Sequence, residues 1–219
     1  MTTLICFALK EEAALFRKFA AGGLRRGHQV SILITGIGRK NAEKSLREFL
    51  ATNSPDLVLT CGFAGGLNPD LKLGDVVFEI PDLNPPASIL GLQAELTVVG
   101  AKPAKFFCAE RIAITVAEKK KLRADTAADA VEMESWAIYT VCRERKIPYA
   151  TVRVISDTAD EDLPLDFNQL SKSDMHLHYG KLAKALLLSP WKIAGLLQLQ
   201  KKTRFAAQQL TDVLEKIIA

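Results

Sequence analysis

Short apolar runs alternate along this chain with stretches whose apolar residues recur every three or four positions. LICFAL (4–9) and QVSILITG (29–36) read as strands. Each is followed by an amphipathic helical stretch, KEEAALFRKFA (10–20) and RKNAEKSLREFLA (39–51). DLVLTCGF (56–63) is apolar almost without interruption, which marks a strand covered on both faces. GDVVFEI (74–80) gives a further strand and PDLNPPAS (81–88) a loop. AELTVVG (94–100) and RIAITV (111–116) look strand-like and precede a charged helix from Ala117 to about Arg123. ADAV leads into a helix over 132–145, and YATVRVISD (149–157) is the last clear strand. Two helices, about 171–188 and 191–218, are divided by Pro190.

This alternation predicts an α/β fold, a three-layer α/β/α sandwich around a central mixed, mostly parallel sheet. No linker, repeat or low-complexity tract breaks the 219 residues, so the expectation is one domain, 1–219, with a helical extension at about 190–219. In such sheets ligands sit at the carboxyl ends of strands. Lys10-Glu11-Glu12 follows the first strand, TGIGRKNA the second, CGFAGGL the third and ISDTAD the last. Glycine-rich backbone at two ends leaves room for a ligand against main chain, and carboxylates bring acceptors and potential acids or bases to the same edge.

Taken singly, each feature has an ordinary reading. Glu11 and Glu12 suit the first turn of a helix. The glycines at 36 and 38 lack the rest of a dinucleotide fingerprint, and no GK[ST] follows. The 62–66 glycines suit a tight turn and Asp157 a cap. Glu134 starts a helix whose apolar face is Met133, Trp136, Ala137, Thr140 and Val141, and spacing alone makes it a solvated first-turn acid.

Composition narrows the field. The chain is 48% apolar and 25% charged, as a globular protein is, and its net charge of +4 is scattered, which argues against a nucleic-acid partner. Cys6, Cys61, Cys108 and Cys142 have no CxxC spacing and read as buried free thiols in a reducing cytoplasm. The first residues lack the basic start of a secretory leader. ALLLSPWKIAGLLQL (185–199) contains Pro190 and Lys192 and is shorter than the ~20 residues a bilayer needs, so no transmembrane segment is expected. His176 and His178, two apart, do not share a helical face, and no metal site is read there.

ITGIGRKNA, DLVLTCGFAGGLNPDLKLGDVVF, VEMESWAI and PYATVRVISDTAD, in that order, resemble successive signatures of the purine nucleoside phosphorylase and nucleosidase superfamily. Within it the chain is similar to bacterial 5′-methylthioadenosine/S-adenosylhomocysteine nucleosidases and to the hopanoid-associated nucleosidases that act on adenosylhopane. The resemblance implies hydrolysis of the N-glycosidic bond of a 5′-modified adenine nucleoside by a homodimer, without metal or cofactor. It implies Asp157 as the acid that protonates the purine at N7, a task for a carboxyl that keeps its proton near neutrality, as apolar surroundings favour. It implies Glu12 as the group that activates water and Glu134 as acceptor of the ribose hydroxyls. Met133 would pack on the sugar, Ile37, Gly62 and Phe63 would contact the substrate, and Phe167 would close over the 5′ substituent.

Phe63 stands where such relatives carry a small polar residue. Ile112 and Ala113 stand near their adenine-stacking aromatic, with Phe106 and Phe107 as substitutes whose default is core packing. The last helix carries Trp191, Ala194, Leu197 and Leu199 beside Lys192, Lys201, Lys202 and Arg204. It reads first as a helix packed on the domain or on a second subunit, and second as a peripheral membrane contact beside a lipid-linked substrate. Two rival functions stay open: a phosphate-dependent phosphorylase and a non-catalytic nucleoside-binding protein. Lys10 followed by two acids makes a poor phosphate cradle, which favours the hydrolase, and Arg39 reads as a surface residue.

Overall fold

The computed structural model describes residues 1–22, 29–81, 85–170 and 192–218. Its strands are β1 (Thr2–Phe7), β2 (Gln29–Ile34), β3 (Leu57–Gly66), β4 (Val76–Glu79), β5 (Lys102–Pro103), β6 (Phe106–Cys108), β7 (Ala130–Glu132) and β8 (Tyr149–Asp157). The helices are α1 (Lys10–Ala21), α2 (Arg39–Phe49), α3 (Ala87–Val98), α4 (Val116–Thr126), α5 (Ser135–Arg145), the single turn α6 (Phe167–Leu170) and α7 (Lys192–Ile218).

All eight strands join one mixed sheet in the order β2-β1-β3-β8-β4-β5, with β7 on the end of β3 and β6 beyond it. Most neighbours are parallel; β4 on β8 and β7 on β3 are antiparallel. β3 is long enough to serve two partners on one side. Its register with β8 slips between Ala64 and Gly65, and there β7 pairs through Gly65 and Gly66.

Alternation of side chains across the sheet separates two cores. Leu4, Cys6 and Val58 point to the side of α2 and α5, with Leu46, Ile138 and Val141. Ile5, Phe7, Leu57, Leu59, Val152 and Val154 point to the other side, with Phe16 of α1, Ile89 and Leu96 of α3, and Ala206, Leu210, Val213 and Leu214 of α7. The inner face of α7 is thus core. Burying four such side chains removes several kcal/mol of apolar exposure, at ~25 cal/mol per Å2.

Three expectations are corrected. Residues 94–100 are not a strand. Ile89, Leu92 and Leu96 recur at helical spacing and are buried along α3, a period that outweighs the β-branched Val98 and Val99 at its end. Gly100, at φ 93°, stops the helix, and Ala101 N–H returns to Leu96 C=O. Residues 111–115 form a loop, because their polar backbone is claimed by side chains: Ile112 pairs through both N–H and C=O with the Asn168 amide, and Ile114 N–H donates to Glu118. Trp136 is not on the buried face of α5. It is 58% exposed and packs on Tyr139, while Ala137, Ile138, Val141 and Cys142 face inward.

The helix expected at about 171–188, with His176, His178 and Trp191, lies outside the described residues. Cys6, Cys61, Cys108 and Cys142 are buried and free. Among the described residues no helix is long and apolar enough to cross a membrane.

Candidate active site

At the carboxyl edge of β1, β3 and β8 lies a cavity of about 250 Å3. Ile37, Phe63, Met133, Phe167, Glu12, Glu134 and Asp157 all line it, as do Glu132, Ser156, Ile112, Ala113, and Leu199 and Thr203 of α7. Gly62 lies just beneath, against Glu12. Phe106 and Phe107 are elsewhere: they pack on two smaller apolar clusters and face a separate cleft beside Trp136 and Tyr139. Arg39 donates from its guanidinium to Cys108 C=O.

Glu11 and Glu12 are neighbours with opposite fates. Glu11 is exposed, whereas Glu12 shares the buried face of α1 with Ala13 and Phe16. As the third residue of the helix it reaches back to its cap, accepting Leu9 N–H at 2.8 Å. Its other oxygen accepts Phe63 N–H at 2.8 Å. Burial pushes the Glu12 carboxyl up, while Arg153 and the backbone N–H groups pull it back in part.

The two glutamates of β7 and its turn divide their tasks. Glu132 caps α5, accepting the N–H groups of Glu134 and Ser135 at 2.9 and 2.7 Å and the Ser135 hydroxyl at 2.6 Å. Glu134 does not cap its own helix. It accepts Gly38 N–H at 2.8 Å, at the start of α2. Burial pushes Glu134 up to about 7 against the pull of Arg153, and the nearby Glu132 adds to the rise.

Arg153, fully buried in the middle of β8, ties these carboxylates together. Nη2 donates to Glu132 at 2.7 Å, Glu134 at 3.3 Å and the Thr60 hydroxyl at 3.2 Å, and Nη1 donates to Cys61 C=O at 3.2 Å. Burial opposes its charge, but Glu132, Glu134 and Glu12 more than offset that, so the guanidinium is held as a cation. Arg153 went unsingled in the sequence, although a charged residue inside a doubly covered strand is itself a signal.

Asp157 ends β8 with its two oxygens held differently. Ser156 Oγ donates to Oδ1 at 2.8 Å, and Lys119 Nζ lies 2.6 Å from Oδ2. The apolar seat expected for this carboxyl is therefore replaced by a salt bridge to a fully buried lysine. Ala113 of the 111–115 loop lines the same cavity.

The sheet order and the carboxylates at the strand ends define an α/β chain with an acid-lined pocket at the carboxyl edge of its sheet. A family model described as "Phosphorylase superfamily" matches residues 8–78 and 101–188, and the chain belongs to that superfamily. It is an enzyme of that group. A 5′-methylthioadenosine/S-adenosylhomocysteine nucleosidase of Anoxybacillus flavithermus is 27% identical over 218 aligned residues, covering 80% of this chain and 94% of that relative. The fold is also that of the corresponding nucleosidase of Neisseria meningitidis solved with methylthio-immucillin-A, at 19% identity, TM-score 0.69, and 99% and 97% coverage. Futalosine hydrolase of Helicobacter pylori aligns at 17% identity, TM-score 0.72 and the same coverage.

Proposed function

We propose that the chain hydrolyses the N-glycosidic bond of a 5′-modified adenine nucleoside and releases adenine. The observation that carries this reading is the convergence of Glu12, Glu134 and Asp157 on one otherwise largely apolar cavity. The names of the relatives support it: nucleosidases and a hydrolase.

In this reading the Asp157 carboxyl gives its proton to N7 of the purine. The N9–C1′ electron pair leaves with the base, and positive charge develops on the sugar. Glu12, fixed by two backbone N–H groups, takes a proton from water as the water oxygen bonds to C1′. Glu134 accepts the ribose hydroxyls, Met133 packs on the sugar, and Ile37, Phe63 and the Gly62 turn shape the floor. Ala113 lines the wall, and Leu9, Leu163, Phe167 and Leu199 suit an uncharged 5′ substituent. The homodimer and cytoplasmic setting implied by the resemblance belong to the same reading.

Arg111 is the one basic side chain that lines the cavity among the described residues, and it pairs with Glu118, which leaves a poor seat for phosphate. The test is adenine release from 5′-methylthioadenosine and from S-adenosylhomocysteine, each with and without phosphate. Release without phosphate supports the hydrolase; release that requires phosphate moves the chain to the phosphorylases; no release from either substrate counts against both.

A further inference from the structure

Lys119 lies on the inner face of α4 with its side chain fully buried. Nζ reaches Asp157 Oδ2 at 2.6 Å, Thr158 C=O at 2.7 Å and Glu161 C=O at 3.0 Å. An ammonium has three protons, and all three are placed. Lys119 therefore has none to offer a ligand. Its geometry serves Asp157 and the loop that follows it.

With Lys119 on Oδ2 and Ser156 on Oδ1, the carboxyl is gripped at both oxygens and its plane is set. β3 brings Gly65 to it, and a Cβ there would lie 3.2 Å from Oδ2. Behind the lysine, Glu161 accepts Thr158 N–H at 3.0 Å and pairs with Lys202 of α7, so α4, α7 and the loop after β8 hold the same seat. An apolar side chain would fill this face of α4 without the desolvation cost of a buried ammonium. What the charge adds is directed at Asp157.

We propose that Lys119 is a positioning residue for the reaction: it aims the Asp157 carboxyl at the base and stabilises the negative charge left there when the proton departs. The inference rests on Asp157 acting as the acid. For that step Asp157 is the neutral carboxyl, its proton on Oδ1 with the Ser156 hydroxyl turned to Ala64 C=O. The Oδ1–H bond breaks, N7 gains the proton, the N9–C1′ pair goes to the base, and the new carboxylate remains with Oδ2 against the ammonium and Oδ1 again accepting from Ser156. A fixed cation where charge develops lowers the barrier without reorganising.

The experiment compares Lys119→Met and Lys119→Gln with the wild-type chain on two substrates, with melting curves to confirm folding. 5′-Methylthioadenosine has a base that must be protonated to leave; 4-nitrophenyl β-D-riboside has a phenolate that leaves without a proton. The expected result is a fall in kcat of about 100-fold or more on the nucleoside, with KM changed by less than about threefold. Phenolate release should stay within a few fold of wild type. In an Asp157→Asn background, Lys119→Met should cause no further loss on the nucleoside, because both changes remove one device. Equal losses on the two substrates, or losses that multiply in the double variant, would overturn the proposal and leave Lys119 a structural ion pair. A wild-type chain that cleaves the riboside but not the nucleoside removes the acid role and the lysine's with it. One that cleaves neither removes the proposed reaction as well.

Discussion

Gly62 and Glu12 touch across a missing side chain. A Cβ on Gly62 would lie 2.6 Å from Glu12 Oε1 and 2.7 Å from Arg153 Nη1, and the backbone there has φ 146°. The glycine leaves the space into which both the carboxylate and the buried arginine project beneath the cavity floor. Gly62→Ala should displace both groups, destabilise the fold by about 1–3 kcal/mol and reduce kcat by more than the melting shift explains. Thermal melting beside steady-state kinetics checks this; an alanine variant with wild-type kcat would mean the contact has no functional weight.

Asp157→Asn should reduce turnover by about 100- to 10,000-fold with the fold retained. The amide fits the same seat, with its oxygen toward Lys119 and its nitrogen toward the Ser156 hydroxyl, which can accept. Wild-type turnover in this variant would remove Asp157 from the acid role.

Glu12→Gln should abolish hydrolysis yet keep nucleoside binding, read by calorimetry. An amide can accept from Leu9 N–H or Phe63 N–H but not both, so stability should fall by about 1–3 kcal/mol. Because burial pushes the wild-type carboxyl up, activity should fall on the acid side at a pH above the ordinary glutamate range. Loss of binding in this variant would give Glu12 a different task.

Glu134 links function to stability with the less common sign. Its folded value of about 7 lies above the ordinary glutamate range, so between the two the folded chain keeps a proton that the unfolded chain has lost. Stability from this group is present at low pH and is lost as pH rises through about 7. Glu134→Gln mimics the protonated form. Its melting temperature relative to wild type should therefore rise between pH 5 and pH 8, while ribose binding weakens. A difference that stays flat with pH would contradict the shifted carboxyl.

Much of this could be read before any coordinates. β8 spans Tyr149–Asp157 as its apolar run indicated, and the α/β layering followed from alternation, because burial on both faces writes a continuous signal. Four carboxyl-end motifs led to one cavity because parallel strands deliver their ends to the same edge. The misses have physical causes. α3 places its β-branched residues at an end where they do not decide the period. Residues 111–115 owe their shape to Asn168, more than 50 residues away, and no local pattern carries such a tether. Lys119 sits in the run Lys119-Lys120-Lys121, where composition says solvent; only its helical phase, shared with the inward Leu122 three residues on, marked it as inward.

The sheet has its centre where the chain is least local. β3 lies between β1, which precedes it, and β8, which joins from beyond about 80 residues of later chain, and α7 then covers their shared face. A ribosome would release β1, α1, β2, α2 and β3 early, able to pair among themselves but with one flank of β3 open and apolar. That half-finished edge invites pairing with other chains until β8 arrives. Refolding in vitro should accordingly be slow for the chain's size and sensitive to protein concentration, as expected where long-range pairing must precede the contacts that reward it. Glu12 thus precedes β8 and α7 by more than a hundred residues, yet it has no complete site until both have followed it.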